Sequence, residues 1–427
     1  VEAFVIEGGR RLSGTIRPSG NKNSALPLLA ASLLTDQPLV LRNVPRIRDV
    51  MAKRQILSAL GVAFDEPGAN VLRMQSGSMP AMDPDPELCR RIRTSILLAG
   101  PLLARLGHVR LPRPGGDRIG PRPLDTHFQV LRALGAKVEI TPHFYEARTD
   151  GLRGADIFLE EMSVTGTEQA VLAAVLADGD TVICNAASEP HVQDLCRCLC
   201  GMGARISGIG TNTLEIRGVS RLSGADFAIG PDYMEVGSFL GLAAVTGSEL
   251  RIQGARPREH RVTRIAFGKL GVDWRDDGDD IVIPAHQELR IQAGPHGAIP
   301  KIDDAPWPGF PSDLMSIALT VATQAEGTVL IHEKMFQSRL FFVDKLIDMG
   351  ARIILCDPHR AVVSGRSQLF GESLTSPDIR AGMAILIAAL CAQGQSVISN
   401  IEQIDRGYEN IERRLSAIGA AIRRVTL

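Results

Sequence analysis

Neither sign of charge is in excess in this sequence: 47 lysines and arginines face 48 aspartates and glutamates over 427 residues, a formal net charge of −1. Nothing global therefore selects nucleic acid or an anionic membrane as a partner. An anionic ligand has to be held by a local basic cluster. Long apolar runs are absent as well. The longest candidate, Met383 to Ala392, falls far short of the roughly 20 residues that span a bilayer. Val1 to Arg10 lacks the basic-then-apolar order of a signal peptide. The seven cysteines form no disulfide framework, and Cys196, Cys198 and Cys200 alternate along a helix-like segment, so they share no face. Buried or idle thiols are expected there rather than a metal site, and a cytoplasmic location follows as the expectation.

What is present is a repeat, in a chain long enough for two or three domains. An apolar residue, a glycine and then Ala or Val close an amphipathic helix at Leu60-Gly61-Val62, Leu134-Gly135-Ala136, Met202-Gly203-Ala204, Leu270-Gly271-Val272, Met349-Gly350-Ala351 and Ile418-Gly419-Ala420. The spacing is roughly 70 residues, longer than a solenoid unit. Each glycine falls where a helix needs a left-handed C-terminal residue, and most are followed by an alternating strand such as Lys137-Val138-Glu139-Ile140. A second helix recurs that is apolar nearly all round: Ala25 to Leu34, Ile92 to Leu103, Ala170 to Ala177 and Ile379 to Ala392. A helix apolar on every side is buried on every side. The pattern predicts an α/β protein with helices inside and sheets outside, six units arranged as two domains of three, and a ligand cleft between two similar domains.

Four segments place polar groups in apolar or glycine-rich surroundings. Ser19-Gly20-Asn21-Lys22-Asn23-Ser24 precedes a buried helix, and Lys22 with the amides of the helix start can hold a phosphate. Taken alone it is a weak signal that reads first as a solvated helix-capping turn. Arg113-Pro114-Gly115-Gly116-Asp117-Arg118-Ile119-Gly120-Pro121-Arg122-Pro123-Leu124-Asp125 can form a mobile lid that carries an acid and a guanidinium, or a plain surface loop. Trp307-Pro308-Gly309-Phe310-Pro311-Ser312-Asp313 enters an apolar helix, where Asp313 is either an N-cap or a base for a substrate hydroxyl. Asp378-Ile379-Arg380 and Asp405-Arg406-Gly407-Tyr408 are the fourth signal, with structural ion pairs as the plain reading. With Arg93, set on a helix in Arg91-Ile92-Arg93-Thr94-Ser95, these groups match a substrate that bears phosphate and carboxylate and undergoes proton transfers.

These motifs resemble the UDP-N-acetylglucosamine enolpyruvyltransferase family. The likeness rests on Gly20 to Asn23, Gly115 to His127, Ser163-Val164, Asn185-Ala186-Ala187 with Glu189-Pro190, Phe310 to Asp313, Asp378 to Arg380 and Ile404 to Tyr408, in one order along the whole chain. The sister family, enolpyruvylshikimate-phosphate synthase, usually has Asp-Lys-Ser where this chain has Asn21-Lys22-Asn23. The resemblance implies an inside-out α/β barrel, two similar domains each of three repeated βαβαββ-type units. One domain would span 20–230 with a catalytic lid loop at 111–123, and the other 1–19 with 231–427.

The resemblance also implies transfer of the enolpyruvyl group of phosphoenolpyruvate to the 3-hydroxyl of UDP-N-acetylglucosamine, the first committed step of peptidoglycan synthesis. It implies no cofactor, no metal, and no nucleic-acid, membrane or obligate protein partner. By position, Lys22, Arg93, Arg122, Arg380 and Arg406 would bind phosphoenolpyruvate. Asn23, Arg122, Pro123, Leu124, Asp125, Ser163, Val164, Asp313 and Arg339 would bind the UDP-sugar, with Asp378 supporting. Asp313 would take the acceptor proton, and Asp117, where the family most often has a cysteine, would deliver a proton to C3 of the donor. Lys22 and Arg406 complete the catalytic set. In the family that cysteine is the thiolate alkylated by the epoxide antibiotic fosfomycin, so this chain is expected to be insensitive. Departures are Asn21 for a small residue, the additional Arg113 and Pro114, Thr165-Gly166 after Val164, and Tyr233 after Asp232. Thr165 and Tyr233 bear on the acceptor. The alternatives are a paralogue that enolpyruvylates another uridine nucleotide and a silent nucleotide-sugar binding protein.

Overall fold

A computed structural model describes residues 2–77, 83–117 and 119–427. Val1, the first residue of the span 1–19 assigned above, and Arg118 of the glycine–proline stretch lie outside the described residues. The chain forms two compact units. One comprises Val1–Ser19, Arg118–Pro121 and Pro231–Leu427; the other comprises Gly20–Asp117 and Arg122–Gly230. Each unit has its own buried apolar core.

The unit that holds most of the N-terminal half carries three sheets. In the first, Ala225–Ala228 pairs parallel to Leu39–Arg42, which pairs antiparallel to Val71–Ser76 and through it to Val62–Gly68. In the second, Asp156–Phe158 is parallel to Asp180–Cys184, followed by Thr213–Arg217 and Arg205–Ser207. The third joins His108–Pro112, Phe144–Arg148 and Lys137–Ile140. The other unit repeats the four-stranded plan three times, for example as Lys301–Asp303, Gly327–His332, Arg360–Gly365 and Ile353–Asp357. Burial alternates along strands such as Val71–Ser76, so each such sheet turns one face to the core. The six sheets are separate among the described residues; none closes on itself by strand pairing.

The glycine repeat has a common geometry. Gly61, Gly135, Gly203, Gly271, Gly350 and Gly419 all have φ between 82° and 105°. At five of them the next amide reaches back into the helix: Ala136 to Leu131, Ala204 to Leu199, Val272 to Phe267, Ala351 to Leu346 and Ala420 to Leu415. This is the Schellman closure, which satisfies carbonyls that the helix end leaves open. At four of the five it leads into the strand that starts a hairpin; at Gly419 it leads into Ala421–Thr426, which pairs with Glu2–Glu7.

The all-apolar helices are interior. Tyr233–Thr246, Met315–Gln324 and Ile379–Cys391 pack on one another, with nearly every side chain buried. In the other unit Lys22–Ala31 and Val164–Ala174 are buried in the same way, while Ala99–Leu106 is buried from Ala99 to Leu103 and reaches solvent at Leu106. One expectation is corrected here. Arg93 does not lie on an α-helix: Arg93–Leu98 is a 3-10 segment, and the α-helix starts at Ala99. Ser95 Oγ bonds the carbonyls of Cys89 and Ile92, which competes with regular helical pairing. Pro101 is harmless in the first turn of Ala99–Leu106, where its missing N–H has no partner to lose. Among the described residues no helix is long and apolar enough to cross a membrane.

Candidate active site

Lys22 opens the Lys22–Ala31 helix and is buried, its Nζ 2.8 Å from Oδ2 of Asp49. Asn21 is the N-cap. Its Oδ1 accepts from the amides of Asn23 at 2.8 Å and Ser24 at 3.1 Å. The departure at Asn21 is thereby explained, and the expectation about this turn is revised. Two of the helix-start amides serve the cap rather than an anion, so the cationic group offered by this turn is Lys22 itself. Ser24 Oγ donates to Asp194 Oδ2 over 2.9 Å, which fixes the first turn from behind.

Arg93 and Arg122 come together in the same unit. Arg93 Nη2 donates to the carbonyls of Arg122 at 2.6 Å and Pro123 at 3.1 Å. Its Nε is buried without a hydrogen-bond partner. Burial, and then the nearby charge of Arg122, push the Arg93 guanidinium down to about 10. An orphaned donor on a guanidinium that feels the charge of a second one suits a site that an anion completes. The glycines of the proposed lid are packed in place. A Cβ on Gly115 would sit 1.6 Å from the carbonyl oxygen of Arg90, and one on Gly116 would sit 2.9 Å from Cβ of Arg93. Asp117 follows, half-buried.

Leu124 is buried at the head of the Asp125–Ala133 helix, while Pro123 and Asp125 are exposed. Ser163 caps Val164–Ala174 by accepting the amide of Gly166 at 3.1 Å. These two helices pack closely: a Cβ on Gly166 would meet Cγ2 of Thr126 at 2.7 Å. The structure thus brings together the two distant segments Arg122–Asp125 and Ser163–Val164. His127 Nε2 lies 3.0 Å from Oγ1 of Thr165. Burial, reinforced by Arg93, pushes His127 down to about 3, so it is neutral at physiological pH. Thr165, one of the departures, is its partner.

In the other unit, Asp313 lies in the 3-10 turn Ser312–Leu314, which has no side-chain cap. The N-cap reading of Asp313 is replaced by an ion-pair geometry. Arg339 Nη2 donates to Asp313 Oδ1 at 2.7 Å, and Arg380 Nε donates to Oδ2 at 2.9 Å. Both arginines are buried. Burial opposes the charge of Arg380, but Asp313, Tyr408 and Asp232 outweigh it and hold the group above the usual guanidinium range. Asp378 caps Ile379–Cys391, accepting the amides of Arg380 and Ala381 at 2.8 and 2.9 Å, and so fixes the backbone that presents Arg380. Tyr408 ties in the C-terminal segment: Arg380 Nη1 donates to its hydroxyl at 3.4 Å, and Ser238 Oγ is 3.1 Å from that oxygen. Arg406 Nη1 donates to Gln403 at 3.0 Å. Its neighbour Asp405 turns to Arg424, at 2.7 and 2.9 Å, and belongs to a structural network with Glu412. Tyr233 is buried edge-on against Trp307, ring centroids 5.8 Å apart.

Sequence reasoning missed Asp49, the Thr165–His127 contact and a buried carboxyl pair, Asp304 with Glu333, next to Ser312. Asp49 looks like any first-turn acid, and the others show only once the chain is folded. Among the described residues no cluster of His, Cys, Asp and Glu could hold a metal ion. Burial pushes the Cys196 and Cys198 thiols up to about 12, which leaves them unreactive.

The family described as EPSP synthase (3-phosphoshikimate 1-carboxyvinyltransferase) matches residues 6–415. The chain is 58% identical over 422 residues to the UDP-N-acetylglucosamine 1-carboxyvinyltransferase of Bradyrhizobium diazoefficiens, covering 99% of this chain and 98% of that protein. It is 55% identical over 419 residues to the protein of that name from Treponema denticola, covering 98% of each. Of solved structures, the enolpyruvyl transferase NikO from Streptomyces tendae superposes with a TM-score of 0.88 at 24% identity, over 100% of this chain and 99% of that one. An EPSP synthase from Acinetobacter baumannii gives 0.75 at 18% identity over 100% of both chains. These structural likenesses carry the fold, two similar α/β domains.

Proposed function

The chain belongs to the UDP-N-acetylglucosamine 1-carboxyvinyltransferase family of enolpyruvyl transferases, and from that membership we infer the chemistry of its site. The protein transfers the enolpyruvyl group of phosphoenolpyruvate to UDP-N-acetylglucosamine, the first step of peptidoglycan synthesis. The acceptor atom is the 3-hydroxyl and the leaving group is phosphate.

Asp117 delivers a proton to C3 of phosphoenolpyruvate. C2 becomes electrophilic, the 3-hydroxyl adds to it, and Asp313 takes the hydroxyl proton. A tetrahedral phospho-ketal forms; loss of a C3 proton and of phosphate gives the enol ether. Lys22, Arg93, Arg122, Arg380 and Arg406 hold the donor's phosphate and carboxylate, for which the arginine fork is suited. Asn23, Arg122, Pro123, Leu124, Asp125, Ser163 and Val164 hold the nucleotide sugar, with Arg339 setting Asp313. The observation that carries the reading is the two-sided grip of Arg339 and Arg380 on Asp313, which fixes the plane of the carboxylate. The domain plan that goes with it is 20–230 and 1–19 with 231–427, each an inside-out α/β barrel of three units. Three sheets and interior helices in each compact unit support that plan. Seven unpaired cysteines support a cytoplasmic location.

A phosphate-release assay with phosphoenolpyruvate tests the reading. UDP-N-acetylglucosamine should support one phosphate per enol ether formed, and shikimate 3-phosphate should support none. Turnover with a different uridine nucleotide, and none with UDP-N-acetylglucosamine, would reassign the acceptor.

A further inference from the structure

Behind Asp313 lies a carboxyl pair that the reaction scheme leaves unused. Glu333 and Asp304 are both fully buried. Glu333 Oε1 accepts the amides of Met335 at 3.2 Å and Phe336 at 3.0 Å, and both its carboxyl oxygens lie 2.9 Å from Ser312 Oγ. Asp304 accepts the amides of Lys334 at 2.5 Å and Met335 at 3.3 Å, so the Met335 amide is shared by the two carboxyls and brings them side by side. Ser312 Oγ in turn accepts Nε–H of Arg339 over 3.3 Å.

We propose that Glu333, backed by Asp304, is a positioning residue for the acceptor-hydroxyl base, acting through Ser312 and Arg339 on Asp313. The inference rests on the reading of Asp313 as that base. The direction of each bond follows from donor and acceptor inventories. A guanidinium only donates, so Ser312 Oγ must accept from Arg339 and send its single proton to Glu333. Arg339 is then held at two points, Nε on Ser312 and Nη2 on Asp313, which fixes the plane of its fork. The same Glu333 carboxyl fixes the Met335 and Phe336 backbone that leads to Arg339. Three successive amides, of Lys334, Met335 and Phe336, find their acceptors in the pair instead of in a strand ladder.

Two carboxyls in contact must share a proton. Burial, and then the contact with Asp304, push Glu333 up to about 8, so Glu333 carries it. A protonated Glu333 donates to Asp304 and accepts from Ser312. Glutamine reproduces that pattern: its carbonyl oxygen faces Ser312 and the amides, and its NH2 faces Asp304.

Glu333→Gln should therefore keep kcat within about two-fold. Glu333→Ala should lower kcat by about ten-fold or more, because a small misplacement of a base is costly, while KM for phosphoenolpyruvate stays within about two-fold. Ser312→Ala removes only the relay hydroxyl and should also lower kcat at unchanged KM for phosphoenolpyruvate; it decides the matter if Glu333→Ala does not fold. A residue with a structural role alone would lower the unfolding midpoint without this kcat-specific loss and without rescue by glutamine. Wild-type kcat in Glu333→Ala overturns the proposal, as does Glu333→Gln impaired as badly as Glu333→Ala, or wild-type kcat in Ser312→Ala where Glu333→Ala is unfolded. Asp313→Ala run in parallel separates the two levels. Full turnover there removes the base itself, whereas an inactive Asp313→Ala beside fully active Glu333→Ala and Ser312→Ala removes the positioning role alone.

Discussion

Arg380 donates from Nε to Oδ2 of Asp313 over 2.9 Å, and it does so from a fully buried side chain on the first turn of an interior helix. With Arg339 on the other oxygen, the Asp313 carboxylate has both oxygens turned to N–H donors. Asparagine cannot copy this, because one end of its amide would set NH2 against a guanidinium N–H. Asp313→Asn should lower kcat by about 10²- to 10⁴-fold, the range for loss of a general base. It should also lower the thermal unfolding midpoint. Steady-state phosphate release and a thermal melt check both. Wild-type turnover in a folded Asp313→Asn protein would make Asp313 an ion-pair partner and nothing more.

The repeat glycines were legible because φ near 90° is a local demand that only glycine meets without strain; Gly135 and Gly350 announce their helix ends without any tertiary information. The interior helices were legible because an all-apolar run such as Ile379–Cys391 has no face to give to water. Arg93 was legible as helical, but not as the start of a 3-10 helix, because what decides that segment is the Ser95 hydroxyl competing for nearby carbonyls. Within the candidate site, charged residues in glycine-rich or helix-entry segments stood out, but their partners did not. Asp49 pairs with Lys22 across 27 positions, and Glu333 meets Ser312 across 21. Nothing local to Asp49 or Glu333 distinguishes them from surface acids. Burial makes them special, and burial is a property of the fold.

Arg406 is expected to hold the donor. Its Nη1 donates to Gln403 at 3.0 Å, and a planar guanidinium fork is suited to an oxyanion. Lysine has no second coplanar donor to do both. Arg406→Lys should raise KM for phosphoenolpyruvate by about ten-fold or more and lower kcat, consistent with loss of a charge-assisted bond of about 1.5–3 kcal/mol. KM for the UDP-sugar should move less. Unchanged kinetics with phosphoenolpyruvate would remove Arg406 from the donor site.

His127 should make the protein acid-sensitive. Its folded pKa lies at about 3, against the ordinary histidine value of 6.5 in the unfolded chain, because burial and Arg93 disfavour its charge. A depressed folded pKa means the unfolded chain binds the proton first. The stability contribution is therefore complete above pH 6.5 and is lost as pH falls from there towards 3. His260, lowered to about 4 by burial, has the same sign. Urea midpoints measured between pH 7 and 4 should fall with pH, and His127→Gln should flatten part of that slope. An identical slope in the variant would mean that His127 is not buried neutral as the structure has it.

Asp117 follows two glycines packed tightly on Arg90 and Arg93, so the stem of this loop is fixed and the acid stands at its end. A thiolate at this position attacks the epoxide of fosfomycin; a carboxylate is a far weaker nucleophile towards it but still passes a proton. The unmodified protein should stay active in the presence of fosfomycin. Asp117→Cys should remain active and acquire time-dependent inactivation, with the covalent adduct visible by mass spectrometry. Asp117→Asn, which keeps the shape and the hydrogen-bond acceptor but holds no transferable acid proton, should lose about 10²-fold or more in kcat. The pair of substitutions separates chemistry from scaffolding. If Asp117 only steadied the loop by accepting hydrogen bonds, asparagine would serve as well and the variant would turn over normally, taking the proton donor out of the scheme. A covalent fosfomycin adduct on the unmodified protein would show instead that another nucleophile occupies the place assigned to Asp117.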